Sequence, residues 1–292
     1  MYSDGRFFGG GMVEISGFVR QRVVCGEVEL SVQVAGQGAP LICLHGFPQN
    51  GMCWAKVAPE LAKHFRVIIP DLRGYGQSDA PADDAGHHVY SKRQMAADIV
   101  ALMDAMGVSQ AMVLGHDRGA RVSYRLALDH PERVSRLGII EIAPTADYWA
   151  AWGAEMAMAA YHWTFLAQPA PLPERMINAD PEAYMDWTLA SWTLSKSLAD
   201  FPEAALASYR SQARDPARIH AMCADYRAGA FTDRRHDEDD RAAGHRIAAP
   251  VHFLYGHHGF PARTGDPARI WQAWAEEVTT EACESGHFVM EE

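Results

Sequence analysis

The residues with the clearest chemical potential form one short stretch, Gly115-His116-Asp117-Arg118-Gly119. An apolar run at 111–114 precedes it, and a helical pattern at 118–129 follows it. A G-x-D-x-G sequence between a strand and a helix has the form of a nucleophile elbow, which usually carries serine at its centre. Flanking glycines let the chain turn sharply, so the central side chain is lifted clear of the sheet. The pattern therefore predicts Asp117 as a nucleophile.

An aspartate at this position changes the chemistry that the elbow supports. A carboxylate is a weak nucleophile toward carbonyl groups, but it can displace a leaving group from an sp3 carbon and form an ester that water then cleaves. Alkyl halides and epoxides suit these steps. The alternative is that Asp117 merely caps the helix, a position that aspartate often fills. A cap alone explains neither the flanking glycines nor the partner residues that follow.

Hydrolysis of such an ester needs a base, and Gly286-His287-Phe288 lies where this order of elements places one, late in the chain. The base needs an acid that holds its tautomer. The loop after the predicted strand at 251–255 has no carboxylate before Asp266, whereas Glu141 ends the preceding strand. An acid among apolar strand residues is costly unless it is paired. Glu141 is therefore the predicted partner of His287, with Asp266 as the alternative.

Two further groups are predicted around Asp117. The tetrahedral anion of ester hydrolysis needs N–H donors, and the backbone N–H groups of Phe47, in the turn after the strand at 41–44, and of Arg118 are suitable. Arg118 and Arg121 lie about one helical turn apart and share a face. Two guanidinium groups beside the nucleophile indicate a bound carboxylate. Surface ion pairs along the helix are the alternative.

Strands and helices alternate along the chain, which predicts an α/β protein with a mostly parallel sheet covered by helices on both faces. Apolar runs indicate buried strands, and apolar spacing of three to four residues indicates helices. We expect an antiparallel hairpin at 13–35, strands at 41–44, 65–70, 111–114, 137–142 and 251–255, and helices at 54–64, 91–106, 118–129 and 270–277.

Residues 145–240 have no strand pattern, and prolines interrupt their helical stretches, which predicts an inserted helical cap. Residues 12–144 and 241–292 would then form the two parts of the core. The acidic run at 237–241 is expected to be a solvated turn back to the core. Residues 1–11 lack the basic start and apolar middle of a signal peptide and are expected to form a flexible leader.

The composition excludes several classes of protein. With 26 Lys+Arg against 37 Asp+Glu, the net charge of −11 makes the 292-residue chain a poor general ligand for nucleic acid. Its five cysteines form no CxxC pair, so neither a disulfide framework nor a zinc site is predicted, and a reducing, cytoplasmic compartment is expected. No apolar run approaches the roughly 18 residues that span a membrane.

The motifs together resemble those of the haloacetate dehalogenases, the fluoroacetate dehalogenase group of the α/β-hydrolase superfamily. The resemblance extends from about residue 17 to the end of the chain. HGFP and DLRGYG are also shared with epoxide hydrolases, but the full combination is highly specific. The stretches that carry it are HGFPQ at 45–49, DLRGYG at 71–76, GHDRGAR at 115–121, LDHPERV at 128–134, HWTFLAQP at 162–169, DYRAG at 225–229 and GHF at 286–288.

The resemblance implies an α/β-hydrolase fold with an inserted helical cap. It implies hydrolysis of a short 2-haloacid to a 2-hydroxyacid and halide, without a metal or other cofactor. Asp117 would be the nucleophile, His287 the base, and Arg118 and Arg121 the clamp on the substrate carboxylate. The expected partner is this small anionic substrate, and the resemblance also implies a homodimer.

The resemblance further implies a halide pocket in the cap, formed by His162, Trp163 and Tyr226. A departing fluoride is small and strongly hydrated, so it needs N–H and O–H donors, which an imidazole, an indole and a phenol supply.

The chain departs from the family pattern in four places. After Pro48-Gln49 the family usually carries a different polar pair, where this chain has Asn50-Gly51. The family usually has aspartate where this chain has Glu141, and glutamate at that strand is known in the related haloalkane dehalogenases. The segment 257–266 is not typical, and relatives continue beyond the position of Glu292 into a closing helix.

Two other functions remain open on the sequence. An epoxide hydrolase would need two cap phenols, for which Tyr226 with Tyr161 or Tyr148 are candidates, but that group commonly has an apolar aromatic residue where Arg118 stands. A non-catalytic binding module of the same fold would typically lack the nucleophile or the base, and both are present here.

Overall fold

The computed structural model describes residues 14–292, which contain an eight-stranded sheet. The strands are β1 (Val19–Cys25), β2 (Val28–Ala35), β3 (Pro40–Leu44), β4 (Arg66–Pro70), β5 (Ala111–His116), β6 (Val134–Ile140), β7 (Val251–Gly256) and β8 (Val278–Cys283). Their order across the sheet is β1-β2-β4-β3-β5-β6-β7-β8. The β1–β2 and β2–β4 pairs are antiparallel, and every neighbouring pair from β4 to β8 is parallel. The predicted α/β architecture is confirmed.

From β3 onward, every connection between consecutive strands contains at least one helix. The helices are α1 (Ala58–Leu61), α2 (Lys92–Ala105), α3 (Arg118–Asp129), α4 (Thr145–Ala150), α5 (Ala154–Ala159), α6 (His162–Leu166), α7 (Leu172–Ile177), α8 (Pro181–Trp192), α9 (Glu203–Ala213), α10 (Pro216–Ala230), α11 (Thr232–Ala243) and α12 (Pro267–Trp274). Helices α4 to α11 follow one another between β6 and β7, and no strand interrupts residues 145–243. We call these eight helices the cap.

The central strands are apolar and almost completely buried, which makes their carboxyl ends a rigid edge for functional loops. In β3, every residue from Leu41 to Leu44 is buried, and β5 and β6 flank the centre of the sheet. Helix α2 starts at Ser91, whose side chain accepts a hydrogen bond from the backbone N–H of Gln94, as expected for an N-cap. In open sheets of this kind, ligands bind outside the carboxyl ends of the strands.

The acidic run at 237–241 was expected to be a solvated turn, and this prediction is wrong. The run lies inside α11, and Asp237 and Asp240 are buried. Both carboxylates pair with the guanidinium of Arg125 on α3, with a distance of 2.9 Å between Asp237 Oδ1 and Arg125 Nη2. A charge run is solvated only when no partner reaches it, and here the partner lies more than 100 positions earlier.

Smaller differences concern the ends of elements. The helix expected at 54–64 is a short 3-10 turn, Gly51–Trp54, followed by α1, and β8 was not predicted. The leader predicted at 1–11 lies outside the described residues.

Candidate active site

Asp117 lies at the apex of a strained turn between β5 and α3. Its φ of 47° and ψ of −117° are rarely adopted by a residue with a side chain. The backbone packs tightly around this turn, because a Cβ atom on Gly119 would overlap the carbonyl group of His45. Backbone strain of this kind persists only where the surrounding structure imposes it, and it clusters at functional sites.

The carboxylate of Asp117 does not serve as a helix cap, although the residue occupies the N-cap position of α3. Instead, its Oδ1 accepts a hydrogen bond of 2.8 Å from the backbone N–H of Phe47. Its Oδ2 lies 3.8 Å from Nε2 of His287. Burial alone would raise the pKa of Asp117, but the imidazoles of His287 and His116 and the nearby arginines outweigh it, and the pKa is lowered. The buried carboxylate is therefore ionised and has one free oxygen.

His287 is held by Glu141. Nδ1 of His287 lies 3.1 Å from Oε2 of Glu141, so the Nδ1–H group of the ring donates a hydrogen bond to the carboxylate. Glu141 follows β6 with a left-handed φ of 63°, which turns its side chain toward the loop after β7. There it accepts hydrogen bonds from the backbone N–H groups of Gly256 at 2.6 Å and Phe260 at 3.3 Å. The longer glutamate side chain thus reaches the histidine.

The alternative acid has a different role. Asp266 caps α12, where its side chain accepts a hydrogen bond from the backbone N–H of Arg269. The structure therefore brings Asp117, Glu141 and His287 together and leaves Asp266 in a capping position.

The environment of His287 keeps its Nε2 unprotonated and free. The rings of Phe260 and Trp192 lie 5.0 Å and 5.5 Å from the imidazole, and Nε2 has no hydrogen-bond partner. Burial lowers the pKa of His287 well below its usual range. Burial also raises the pKa of Glu141, although the N–H donors of Gly256 and Phe260 oppose this. A neutral imidazole whose lone pair has no hydrogen-bond partner can act as a base toward a water molecule bound beside it.

The two predicted clamp arginines are both buried, but they differ in their partners. Arg118 uses Nε and Nη2 to bind the carboxylate of Asp225 on α10, and its buried Nη1 has no partner. Arg121 uses Nη1 to donate to the carbonyl of Ala143 and the hydroxyl of Thr145, both at 3.0 Å, and its Nε has no partner. Each arginine therefore keeps at least one N–H for a ligand.

The three residues of the predicted halide pocket lie together under the cap. The ring centroid of Tyr226 is 5.5 Å from that of His162 and 5.9 Å from that of Trp163. Nδ1 of His162 and the hydroxyl of Tyr226 are buried without a partner. Burial, with help from the arginines Arg118 and Arg121, lowers the pKa of His162 to about 3, so the ring is neutral.

Both arginines lie over the faces of aromatic rings in this cluster. The guanidinium carbon of Arg118 lies 4.2 Å from the ring centroid of Tyr226, and that of Arg121 lies 4.6 Å from that of Trp163. Arginine over an aromatic face is attracted by the ring quadrupole. The positive charges and the polar ring atoms therefore converge on one small volume next to Asp117.

Three residues of the site were missed, or assigned another role, from the sequence alone. Asp225 is the carboxylate that binds Arg118, and Trp192 packs against His162 with ring centroids 4.3 Å apart. Tyr148 stacks on Trp163, and its hydroxyl is buried without a partner. A signal existed for Asp225, which begins the shared DYRAG stretch, but none for Trp192, which lies in an ordinary helix.

A cavity of about 110 Å³ opens beside His287. Trp192 and Phe260 form its apolar wall, and the exposed side chains of Lys196 and Arg263 stand at its edge. This volume can hold a few water molecules or a small organic acid.

Two general features of the described part of the chain bear on the site. No group of three or more His, Cys, Asp or Glu side chains among residues 14–292 could hold a metal ion. None of the helices in this range is long and apolar enough to cross a membrane.

Comparison with known proteins identifies the family of the chain. The family model of the alpha/beta hydrolase fold matches residues 39–292. A fluoroacetate dehalogenase from Burkholderia sp. is 39% identical over 94% of this chain and 90% of its own length. A soluble epoxide hydrolase from Corynebacterium sp. (strain C12) is 33% identical over 88% of this chain and 87% of its own length.

The fold is also similar to that of solved structures. The crystal structure of ALR0039 from Nostoc sp. PCC 7120 superposes with a TM-score of 0.92 at 44% identity, covering 96% of this chain and 94% of that one. With an elbow between β5 and α3, a histidine after β8 and a cap between β6 and β7, the chain belongs to the α/β-hydrolase family, and within it resembles the haloacetate dehalogenases.

Proposed function

We propose that the protein hydrolyses short 2-haloacids to 2-hydroxyacids and halide through an ester on Asp117. The observation that carries this proposal is the environment of that carboxylate. It is ionised, it keeps one oxygen free, and it lies beside two buried arginines that have N–H groups without partners. A small carbon electrophile that carries its own carboxylate matches this combination.

Substrate binding depends on the two arginines. The free Nη1 of Arg118 and Nε of Arg121 donate to the carboxylate of the acid. This contact directs C2, the carbon next to the carboxylate, toward Oδ2 of Asp117. Holding the reacting atoms in line removes much of the entropic cost of a bimolecular displacement.

Carbon–halogen cleavage is the first chemical step. Oδ2 of Asp117 attacks C2, a C–O bond forms, and the C–halogen bond breaks with its electron pair leaving on the halide. The hydroxyl of Tyr226 and the ring N–H groups of His162 and Trp163 then solvate the halide, with the positive charges of the arginines close by. These donors matter most for fluoride, which binds hydrogen-bond donors most strongly.

Ester hydrolysis is the second step. Nε2 of His287 takes a proton from water while the water oxygen attacks Cγ of Asp117. The N–H of Phe47, which binds Oδ1, and that of Arg118, at the N-terminus of α3, stabilise the oxyanion. Glu141 stabilises the imidazolium through Nδ1. When the intermediate collapses, the bond between Cγ and the ester oxygen breaks and the imidazolium of His287 gives its proton to that oxygen, which leaves as the hydroxyl of the 2-hydroxyacid. The carboxylic acid left on Asp117 then ionises, which regenerates the carboxylate.

The test is the release of free halide from chloroacetate and fluoroacetate, with Asp117→Asn as the blank. We expect halide from the wild type and none from the variant. A single turnover in H₂¹⁸O should leave the label on Asp117 rather than in the first product molecule. Halide release that survives in Asp117→Asn, or label that enters the first product, would refute the ester mechanism.

Epoxide hydrolysis is a second candidate, favoured by one observation. The hydroxyls of Tyr148 and Tyr226 are both buried without partners, and both rings contact Trp163. Two phenols could donate to an epoxide oxygen. Tyr161, the other nominee, instead packs against Trp187 and Phe165. Diol formation from a neutral epoxide, without halide release from either haloacid, would decide for this function.

A further inference from the structure

The guanidinium of Arg118 is almost fully occupied by a single protein residue. Its Nε donates to Oδ2 of Asp225 at 3.1 Å, and its Nη2 donates to both Oδ1 and the backbone carbonyl of Asp225. Only Nη1 lacks a partner. Arg118 can therefore offer only Nη1 to a ligand, and it cannot bind a carboxylate through two nitrogens without leaving Asp225.

Asp225 is itself firmly anchored. It is completely buried, its Oδ1 also binds Nζ of Lys92, and its Oδ2 accepts a hydrogen bond of 2.7 Å from the hydroxyl of Tyr75. Burial opposes its ionisation, but the charges of Arg118 and Lys92 outweigh burial and hold the pKa of Asp225 below its usual range. Asp225 is thus a fixed negative charge on α10, which belongs to the cap, whereas Arg118 belongs to the elbow.

Arg121 provides the contrast. Its Nη1 donates to two neutral oxygens, those of Ala143 and Thr145, and it forms no ion pair with any residue in the described range 14–292. Its positive charge is therefore not neutralised in a direct ion pair, although Arg121 is close enough to Asp117 to help lower the pKa of that carboxyl. The two arginines are similar in sequence position but different in the charge that they present to a ligand.

We propose that Asp225 is a positioning residue that makes the arginine clamp asymmetric. It pairs with Arg118 and restricts the contact of this arginine with a ligand to Nη1, so that Arg121, which has no ion pair, holds the substrate carboxylate. C2 is thereby kept in line with Asp117, because Arg118 cannot pull the carboxylate toward α10. This inference rests on the proposed function, which makes a carboxylate the ligand of both arginines.

The experiment compares acetate binding and chloroacetate turnover in the wild type and in Asp225→Asn. Acetate has the carboxylate but no leaving group, and its affinity is measured by calorimetry without any turnover. In the variant, Arg118 gains an uncompensated charge and the freedom to rotate. We expect acetate to bind about three- to tenfold more tightly, while kcat for chloroacetate falls at least about tenfold because the carboxylate is held out of line.

A matched control is a buried ion pair between α7 and the helix that carries Asp225. Glu174 is a buried carboxylate that pairs with Arg227 of α10 at 2.7 Å, and no contact joins it to the two clamp arginines. Glu174→Gln therefore removes a buried cap ion pair of the same type. We expect it to lower Tm while acetate affinity and kcat stay at wild-type values.

A second variant separates charge from position. Asp225→Glu keeps the charge but displaces it by one methylene group. Acetate affinity should stay within about twofold of the wild type, because the charge of Arg118 remains compensated, while kcat should fall. If Asp225→Asn does not fold, this variant decides, and an unchanged kcat would overturn the proposal.

The outcomes separate the two proposals. Wild-type protein that binds acetate but releases no halide would refute the proposed function, and acetate affinities would still decide the role of Asp225. Halide release by the wild type, together with an Asp225→Asn variant that loses only Tm in the manner of Glu174→Gln, would overturn the positioning role and leave the proposed function intact.

Discussion

Shortening Glu141 by one methylene group gives the most direct test of how the site works. The Glu141→Asp variant carries the aspartate that the haloacetate dehalogenases usually have at this position, so analogy with that family alone predicts an active enzyme. The structure predicts the opposite. Loss of a methylene withdraws the carboxylate by about 1.3 Å. The 3.1 Å contact between Oε2 of Glu141 and Nδ1 of His287 would then be too long for a hydrogen bond.

The magnitude follows from that contact. A hydrogen bond to a charged group contributes about 1.5–3 kcal/mol, which corresponds to roughly a 10- to 160-fold change in rate. The loss falls on ester hydrolysis, in which His287 becomes positively charged, and spares the attack by Asp117. Glu141→Asp should therefore release about one chloride per protein in a fast phase and then turn over slowly.

The assay is rapid-quench chloride release from chloroacetate, with intact-protein mass spectrometry of the quenched samples. We expect a burst and an adduct of about 58 Da, the mass that an ester of this acid adds. Asp266→Ala is the control, since Asp266 was the alternative acid and caps α12. It should lose about 1 kcal/mol of stability and show no burst. Wild-type turnover in Glu141→Asp, or a slow phase without an adduct, would refute the reasoning.

Three further predictions follow from other contacts. In Gly259→Ala, the added Cβ would overlap the carboxylate of Glu141, so the same burst and a lower Tm should appear; normal turnover would contradict this. Tyr226→Phe removes an unpartnered hydroxyl from the halide cluster, and we expect fluoroacetate turnover to fall about tenfold more than chloroacetate turnover, an expectation that equal losses would disprove. Burial raises the pKa of Glu291, which accepts a hydrogen bond from Tyr209, to about 8. In the folded state Glu291 therefore keeps a proton that it releases in the unfolded chain near the ordinary glutamate pKa of about 4.3. The free energy of unfolding then falls as the pH rises from about 4.3 to about 8, by up to about 1.4 kcal/mol per pH unit. Glu291→Gln should lack this fall when Tm is followed from pH 5 to 9, and parallel curves would show that Glu291 titrates normally.

Much of the fold was readable from local patterns. Apolar runs predicted β3, β4, β5 and β7 to within a few residues, because a buried parallel strand must be apolar on both faces. The acidic run at 237–241 was misjudged because local charge carries no information about a distant partner, and Arg125 supplies that partner. Strand β8 lacks a continuous apolar run, since it lies at the sheet edge.

The candidate site divides in the same way. The elbow around Asp117, the late His287 and the arginine pair follow from residue type and spacing, since a sharp turn needs glycines and one helical turn places Arg118 and Arg121 on one face. These features by themselves determined the chemistry to be expected, namely an ester on a carboxylate.

Only the tertiary structure decided which groups are free to perform that chemistry. It places Glu141 rather than Asp266 against His287, and it places Asp225 of the cap against Arg118, so that the two arginines are no longer equivalent. The physical reason is that burial and pairing depend on contacts between residues far apart in the chain. Such contacts determine which buried polar atom keeps an unused hydrogen bond, and no local pattern records them.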